Sequence, residues 1–404
     1  MMRLRSAALN PLVIEKLDQA VAILRDLEID AWLTFVRETS AAGDPVLPLI
    51  LDHGLTWQSA LIVTRGGDRI ALVGNYDADI VRRVGGWNRV ESYVQGISEP
   101  LRRILLELAP QKLAVNFSCS NVMADGLTHG MWLLLQEYLA GTPLADRIVS
   151  AEPVLAALRG RKSPAEVERI RRAVSETEEI LDEIGAFLAV GRSEREVAGF
   201  AKERLARRGL APAWDPAACP IVNTGPQSRV GHAGPTDLRI EPGHAVHIDF
   251  GVRRDGYCSD LQRMWYVPRR HEQGPPAGLQ RALEATVAAI EAAAKALRPG
   301  AECWQVDEAA RRCLTSFGFP EYQHGTGHHI GRSVHDGGGS LGPRWERYGR
   351  TPYYLVEPGN VFTLELGVYD NPEHGAVGLE EDVLVTDQGV EWLSRPQQTF
   401  RLVR

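Results

Sequence analysis

The feature that most restricts how this chain can fold is a duplication in its second half. Residues 189–210 and 298–319 have equal length, and Gly191, Val197, Ala201, Leu205 and Gly209 of the first fall on Gly300, Val306, Ala310, Leu314 and Gly318 of the second. Further on, residues 241–251 (EPGHAVHIDFG) align with 357–367 (EPGNVFTLELG). The EPG triplet and the closing glycine are identical there, and Asp249 falls on Glu365. Two matches in the same order describe one helix-then-strand unit used twice. Ser163-Pro164-Ala165-Glu166 and Ser193-Glu194-Arg195-Glu196 both read as capping boxes, the first with proline at the first helical position, and Gly209 reads as the stop of the second helix.

Each copy continues into a hairpin. Asp249 and Asp260 are symmetric about Arg254-Asp255, with Asp255-Gly256 supplying turn chemistry. Glu365 and Glu380 are symmetric about Pro372-Glu373, inside the turn-rich residues 370–375. Residues symmetric about a hairpin turn face one another on adjacent strands. The expectation is two facing pairs, Asp249 with Asp260 and Glu365 with Glu380, brought together by the duplication. Asp249 and Glu365 both sit among apolar neighbours, where ionised acids are desolvated and repel one another unless a cation offsets them. Two divalent cations would balance the four carboxylates, so a dinuclear metal site is the simplest account. Acids on the solvent face of alternating strands are the plainer alternative.

A fifth element is HGTGHHIG at 324–331, followed by His335. Four of the eleven histidines of the chain fall within these twelve residues, 324–335. The glycines around His328 permit close backbone approach. Imidazole mixed with carboxylates suits manganese, cobalt, iron or zinc better than calcium or magnesium, which prefer all-oxygen shells.

The 404 residues favour two domains. Residues 1–155 alternate helix-like and strand-like segments, with a hairpin signal at Arg65-Gly66-Gly67-Asp68, and read as a smaller α/β domain without a catalytic cluster. Residues 156–404 hold the duplicated units, and the class overall is α+β. The short basic run Arg159-Gly160-Arg161-Lys162 reads as a solvated linker between the two. A net charge of −7, with no basic surface beyond that short run, argues against a nucleic-acid partner. No run of 18 apolar residues occurs, and the first residues mix Glu, Lys and Asp into their apolar positions, so neither a membrane span nor a signal peptide is expected. Cys119, Cys219, Cys258, Cys303 and Cys313 are scattered without a CxxC pair and read as free thiols of a cytoplasmic protein.

In this order, Asp249, then Asp260, GHHIG around His328, Glu365 in FTLELG and Glu380 in EEDVLVT resemble the M24 metallopeptidases. That family includes methionine aminopeptidase, aminopeptidase P and prolidase, which share the pita-bread fold. The resemblance runs from about Leu158 to the C-terminus, and the preceding residues look like the extra domain of the creatinase, prolidase and aminopeptidase P branch. It implies that Asp249 chelates one ion and Asp260 bridges two. It likewise implies that His328 and Glu365 complete the other ion's shell and that Glu380 is the second bridge. GPQSRVGHA at 225–233 is similar to the family's stretch before the first Asp ligand. His232 thus matches a histidine that contacts substrate near the scissile bond. His335 matches the second such histidine, and His324 one that lines the pocket beyond that bond.

The function implied is that of a dinuclear metal-dependent exopeptidase of short peptides, with Xaa-Pro dipeptidase or Xaa-Pro aminopeptidase as the favoured subtype. A metal-activated hydroxide would attack, Glu365 would shuttle its proton, and His232 and His335 would donate to the oxyanion. Manganese is the first choice of metal, with cobalt, zinc and iron as alternatives, and the resemblance suggests a homodimer.

Two positions depart from the family pattern. Gly378 stands where prolidases and aminopeptidases P usually carry arginine, and Leu366-Gly367 stands where Pro-Gly usually follows the first glutamate. Arg332 and Arg344 are candidates to replace the missing guanidinium, and Gly337-Gly338-Gly339-Ser340 reads either as a loop over the site or as a surface turn. Two other classes stay open. One is a non-peptidase of the same fold, a creatinase-like amidinohydrolase or a lyase. The other is a non-catalytic binding module, against which retention of all five ligands stands.

Overall fold

The computed structural model of the chain describes residues 10–228, 231, 234–369 and 375–403; His232 and the turn at Pro372-Glu373 lie outside them. The chain divides into two compact units, 1–159 and 160–404. Among the described residues no helix is long and apolar enough to cross a membrane.

The first unit is built on a six-stranded mixed sheet of order β4-β3-β2-β1-β5-β6. Its strands are β1 (Ala31–Val36), β2 (Ser59–Thr64), β3 (Arg69–Gly74), β4 (Arg89–Tyr93), β5 (Leu113–Val115) and β6 (Ile148–Ser150). The Arg65-Gly66-Gly67-Asp68 signal is met, since β2 and β3 form an antiparallel hairpin with Ile62 opposite Ile70. β1 is apolar apart from Thr34 because both of its faces are covered. Ala31, Leu33 and Phe35 pack with Leu101 and Ile104 of helix α2 (Ser98–Leu108). Trp32 and Val36 pack with Val13 and Leu17 of helix α1 (Pro11–Asp26).

The basic run at 159–162 is not a solvated linker. Arg159 and Lys162 are buried. Arg159 Nη1 donates to the Pro45 carbonyl at 2.8 Å inside the first unit, and Lys162 Nζ lies 3.0 Å from Asp336 inside the second. Cations of this kind are removed from water only where an acceptor or an acid meets them.

The second unit shows its duplication bond by bond. Helices α3 (Pro164–Phe187) and α4 (Glu194–Arg208) start at Ser163 and Ser193, and both serines close capping boxes with Glu166 and Glu196. Their counterparts are α5 (Ala277–Ala296) and α6 (Cys303–Ser316). The Gly191 amide donates to the Ile240 carbonyl and the Gly300 amide to Val356, both at 2.8 Å. Ser193 bridges Arg239 as Glu302 bridges Leu355. Gly209 ends α4 with φ at 65°, a left-handed cap that glycine adopts without a Cβ clash.

Strands β7 (Ile221–Thr224), β8 (Ala245–Phe250), β9 (Leu261–Tyr266), β10 (Val361–Val368) and β11 (Val377–Thr386) form an antiparallel path of order β10-β11-β9-β8-β7. The two copies meet where β9 lies beside β11. On one face Phe362, Leu364, Leu366, Leu379 and Val383 pack with Leu279, Leu283 and Ile290, which recur along one side of α5. Each large apolar side chain so buried contributes about 1.5–3 kcal/mol. Strand alternation then turns Thr363, Glu365, Gly378 and Glu380 to the opposite face. The α+β class is the one expected.

Candidate metal centre

A row of polar side chains crosses this second face in register. Glu365 on β10 faces Glu380 on β11, Glu380 pairs with Gln262 on β9, and Gln262 pairs with Asp249 on β8. The Glu365–Glu380 pairing is the expected one; the Asp249–Asp260 pairing is not found. The first hairpin turns at Asp255-Gly256, where φ is 50° and 79°, and Arg254 pairs with Tyr257. Two consecutive positive φ values suit an Asp-Gly turn of type I′. They centre the hairpin one residue later than the symmetry of the two acids implies, so Asp249 faces Gln262. Asp260 precedes Gln262 by two residues and therefore lies on the same face, diagonal to Asp249.

His328 reaches this row from a segment laid against β10. The Glu365 amide donates to the Thr326 carbonyl at 2.7 Å, and the His328 amide donates to Thr363 Oγ1 at 3.2 Å. Gly327 permits the approach, because a Cβ there would stand 2.0 Å from the Thr363 carbonyl oxygen. His328 Nε2 ends 3.8 Å from Asp260 Oδ2, 3.7 Å from Glu365 Oε1 and 3.9 Å from Glu380 Oε1. These distances are too long for hydrogen bonds. They are a few tenths of an ångström wider than the roughly 3–3.5 Å that separates ligand atoms sharing one ion at about 2.1 Å. Asp260, His328 and Glu380 each offer a ligand atom, all within 4.8 Å of one another.

The electrostatics point the same way. Asp249 Oδ1, Asp260 Oδ1 and Glu380 Oε1 are buried without a hydrogen-bond partner, which a carboxylate oxygen rarely is. Burial, and then the Glu365 charge, push Asp249 up to about 7, against a hydrogen bond from Asp260. Burial pushes Asp260 and Glu380 well above the carboxylate range, and the surrounding acids add to it. Burial drives His328 down to about 4, which leaves a neutral imidazole with a lone pair to give. Acids that cannot all ionise side by side, oxygens without donors and a neutral imidazole together fit divalent cations.

The other expected residues are placed less tightly. His335 is exposed, and its ring stands edge-on to His328 with centroids 4.3 Å apart. His324 is also exposed, 6.0 Å from the Tyr369 ring. His232 lies outside the described residues, but both flanks of its segment are tied to the buried Glu194. Ser228 Oγ and the Thr236 amide donate to that carboxylate at 2.5 and 2.9 Å. Arg332 and Arg344 do not fill the place above Gly378. Their guanidinium groups lie over Tyr257 and Trp304, at 5.5 and 4.1 Å from the ring centroids. The 337–340 stretch is not a plain surface turn, since Gly338 and Gly339 are buried against His329 and Cys303.

Three residues in or beside the row escaped the sequence reading. Gln262 Nε2 donates to Glu380 Oε2 at 3.0 Å and to Glu365 Oε2 at 3.3 Å. His247 lies behind Gln262. The Tyr369 hydroxyl is pushed well above its ordinary value by burial and by Glu365, Glu380 and Asp249. The signal for Gln262 was available: if Asp249 matches Glu365, the residue facing Asp249 matches Glu380.

Residues 168–387 match the family model of metallopeptidase family M24. An Xaa-Pro dipeptidase of Pyrococcus furiosus is 30% identical over 250 residues, which cover 61% of this chain and 66% of that protein. A probable dipeptidase PepE of Mycobacterium tuberculosis is 33% identical over 259 residues, 61% of this chain and 63% of that one. The match thus spans just under two thirds of the length of each of these curated relatives. The crystal structure of dipeptidase PepE from Mycobacterium ulcerans superposes with a TM-score of 0.75 at 25% identity, covering 97% of this chain and 98% of that one. Since the family model takes in more than half of the 404 residues, the chain belongs to metallopeptidase family M24.

Proposed function

We propose that the chain is a dinuclear metal-dependent exopeptidase of short peptides, with Xaa-Pro dipeptides or Xaa-Pro N-termini as its preferred substrates. The observation that carries the reading is the convergence of Asp260, Glu365 and Glu380 on His328 Nε2, with three carboxylate oxygens of the row lacking a donor. In this reading Asp249, Asp260, His328, Glu365 and Glu380 hold two ions. Manganese is the first choice and cobalt, zinc and iron the alternatives, given the imidazole among the carboxylates. Bound there, the ions supply Lewis acidity toward the scissile carbonyl and lower the pKa of water.

The chain's own residues do the rest. The Glu365 side chain is 30% exposed, against 9% for Asp260 and 1% for Glu380. That greater exposure supports assigning Glu365 to take a proton and pass it to the leaving amine nitrogen. His335, exposed beside His328, and His232 are assigned to hydrogen-bond the substrate carbonyl as charge develops on its oxygen. His324, beside Tyr369, is assigned to the pocket beyond the scissile bond. The relatives named Xaa-Pro dipeptidase and dipeptidase support the substrate class. Residues 1–155 are assigned as the accessory domain of the prolidase branch, and a cytoplasmic homodimer completes the proposal. One observation favours a second reading, a non-peptidase using the same metals: among the described residues, the atoms nearest a Cβ at Gly378 belong to Gln262, His247 and Tyr369 and not to a guanidinium.

A hydrolysis panel tests the proposal. Metal-free protein is reconstituted with manganese, cobalt or zinc and offered Xaa-Pro and non-proline dipeptides and tripeptides. Metal-dependent cleavage of the Xaa-Pro peptides is expected. If all of them stay intact with every metal, the peptidase reading is wrong.

A further inference from the structure

We infer that Gln262, backed by His247, is the positioning residue that sorts the oxygens of Glu365 and Glu380 between protein and metal, an inference that rests on the metal reading above. Gln262 is buried in the middle of the row, between Glu380 on one side and Asp249 on the other. The duplication makes it the counterpart of Glu380, because Asp249 aligns with Glu365 and each faces the residue in question. One copy of the hairpin therefore presents a carboxylate at this register position and the other an amide. A carboxylate in both copies would add a further negative charge to a row already crowded with them.

The amide divides each glutamate in two. Its Nε2 takes Oε2 of Glu380 and Oε2 of Glu365. The other oxygen of each, Oε1, is the one that lies 3.9 Å (Glu380) or 3.7 Å (Glu365) from His328 Nε2. Glu380 Oε1 is among the buried oxygens without any donor. A carboxylate whose one oxygen is held by a donor keeps the other aimed, which is how groups behind a metal's ligands orient them.

The two carboxylates, which can only accept, fix which way the amide points, and His247 meets its other end. His247 is buried, and its Nε2 donates to Gln262 Oε1 at 2.9 Å. A reversed amide would set its oxygen against two carboxylates and its NH2 against a donor. His247 Nδ1 lies 3.1 Å from Asn223 Oδ1, and Asn223 Nδ2 donates to Ser228 Oγ at 3.1 Å. Gly378 completes the device by its lack of a side chain. A Cβ at that position would stand 2.8 Å from Gln262 Oε1, 3.1 Å from His247 Nε2 and 3.1 Å from Tyr369 Cε1. Any other residue at 378 has to displace the pair. The departure at Gly378 and the presence of Gln262 and His247 are thus one feature.

Manganese binding to the full chain tests this, by calorimetric titration and by the electron paramagnetic resonance spectrum of the bound ions, with the melting temperature of metal-free protein measured in parallel. Gln262→Met keeps the bulk and removes the donor; Gly378→Ala leaves Gln262 in the sequence and crowds it. Both are expected to weaken manganese binding about 10- to 100-fold and to change the spectrum, while the metal-free melting temperature of at least one stays near that of the parent. Gln262→Glu, which keeps the shape but loses the donor, is expected not to restore the parent spectrum. If the parent binds manganese and both folded variants bind it with unchanged affinity and spectrum, the positioning role is refuted and the metal site stands. If the parent binds neither manganese nor cobalt, zinc or iron, the metal reading falls and this inference with it.

Discussion

Glu365 and Glu380 stand directly opposite one another on adjacent antiparallel strands, and each keeps one oxygen within 3.9 Å of His328 Nε2. Like charges so placed destabilise a sheet by roughly 0.2–1 kcal/mol, more where water is excluded. Without metal the pair is a liability. Glu380→Gln is therefore expected to raise the melting temperature of metal-free protein at pH 8 and to abolish the further rise that metal gives the parent. For the parent, metal at about 100 times its dissociation constant adds about 2.7 kcal/mol. Calorimetry with and without chelator reads both effects. A variant destabilised in both states would mean that Glu380 is simply a structural acid.

The pH dependence of the metal-free protein has a defined sign. Burial and the Glu365 charge raise Asp249 from 3.8 to about 7 in the folded chain. A raised acid binds its proton more tightly when folded, so its contribution is full below the unfolded value and is lost as pH climbs through the folded one. Melting temperature of chelated protein should fall between those two values as pH rises. Asp249→Asn should flatten that fall, and saturating metal should remove it, since binding displaces the proton. An equal slope in the parent and in Asp249→Asn would contradict the assignment.

Gly327 is where backbone meets backbone. A methyl group there would stand 2.0 Å from the Thr363 carbonyl oxygen, so Gly327→Ala has to push the His328 segment off β10. Overpacking of this kind costs about 1–3 kcal/mol. Urea denaturation should show that loss, and metal titration a weakened site, because His328 moves with the segment. Parental stability together with parental metal affinity would be the contrary result.

Lys162 and Asp336 form an ion pair with side chains only 1% and 4% exposed. Asp336 Oδ1 also accepts from the Ser333 amide at 3.2 Å, which ties down the turn leading into His335. Removing one partner of a buried pair costs about 3–5 kcal/mol, because the other is left charged and unpaired. Lys162→Met is expected to show that loss, and the double variant Lys162→Met/Asp336→Leu to recover much of it. A double variant no better than the single would argue that the pair's charges are not what matters.

Much of this arrangement is legible in the sequence because periodicity and turn chemistry are local. The two serine capping boxes, the β2–β3 hairpin and the repeat all follow from short-range rules, and the structure carries them out. The facing of Glu365 and Glu380 came from symmetry about a turn and is found in the strand register. The same argument misplaced Asp260, because the positive φ angles at Asp255 and Gly256 centre the first hairpin one residue later. Gln262 went unnoticed since an amide in a strand carries no distinctive chemistry until its partners are known. Lys162 looked solvated because its partner, Asp336, is 174 residues away, and no local pattern reports such a pairing.

Everything proposed for this site follows from Asp249, Asp260, His328, Glu365 and Glu380 together holding two ions. Elemental analysis of purified protein, dialysed to remove loose metal and then loaded with manganese, measures this directly. About two ions per chain are expected, as in a two-metal hydrolase, and fewer than two for Asp260→Ala and His328→Ala. A parent that retains no metal, or variants that retain as much as the parent, would contradict the two-ion site.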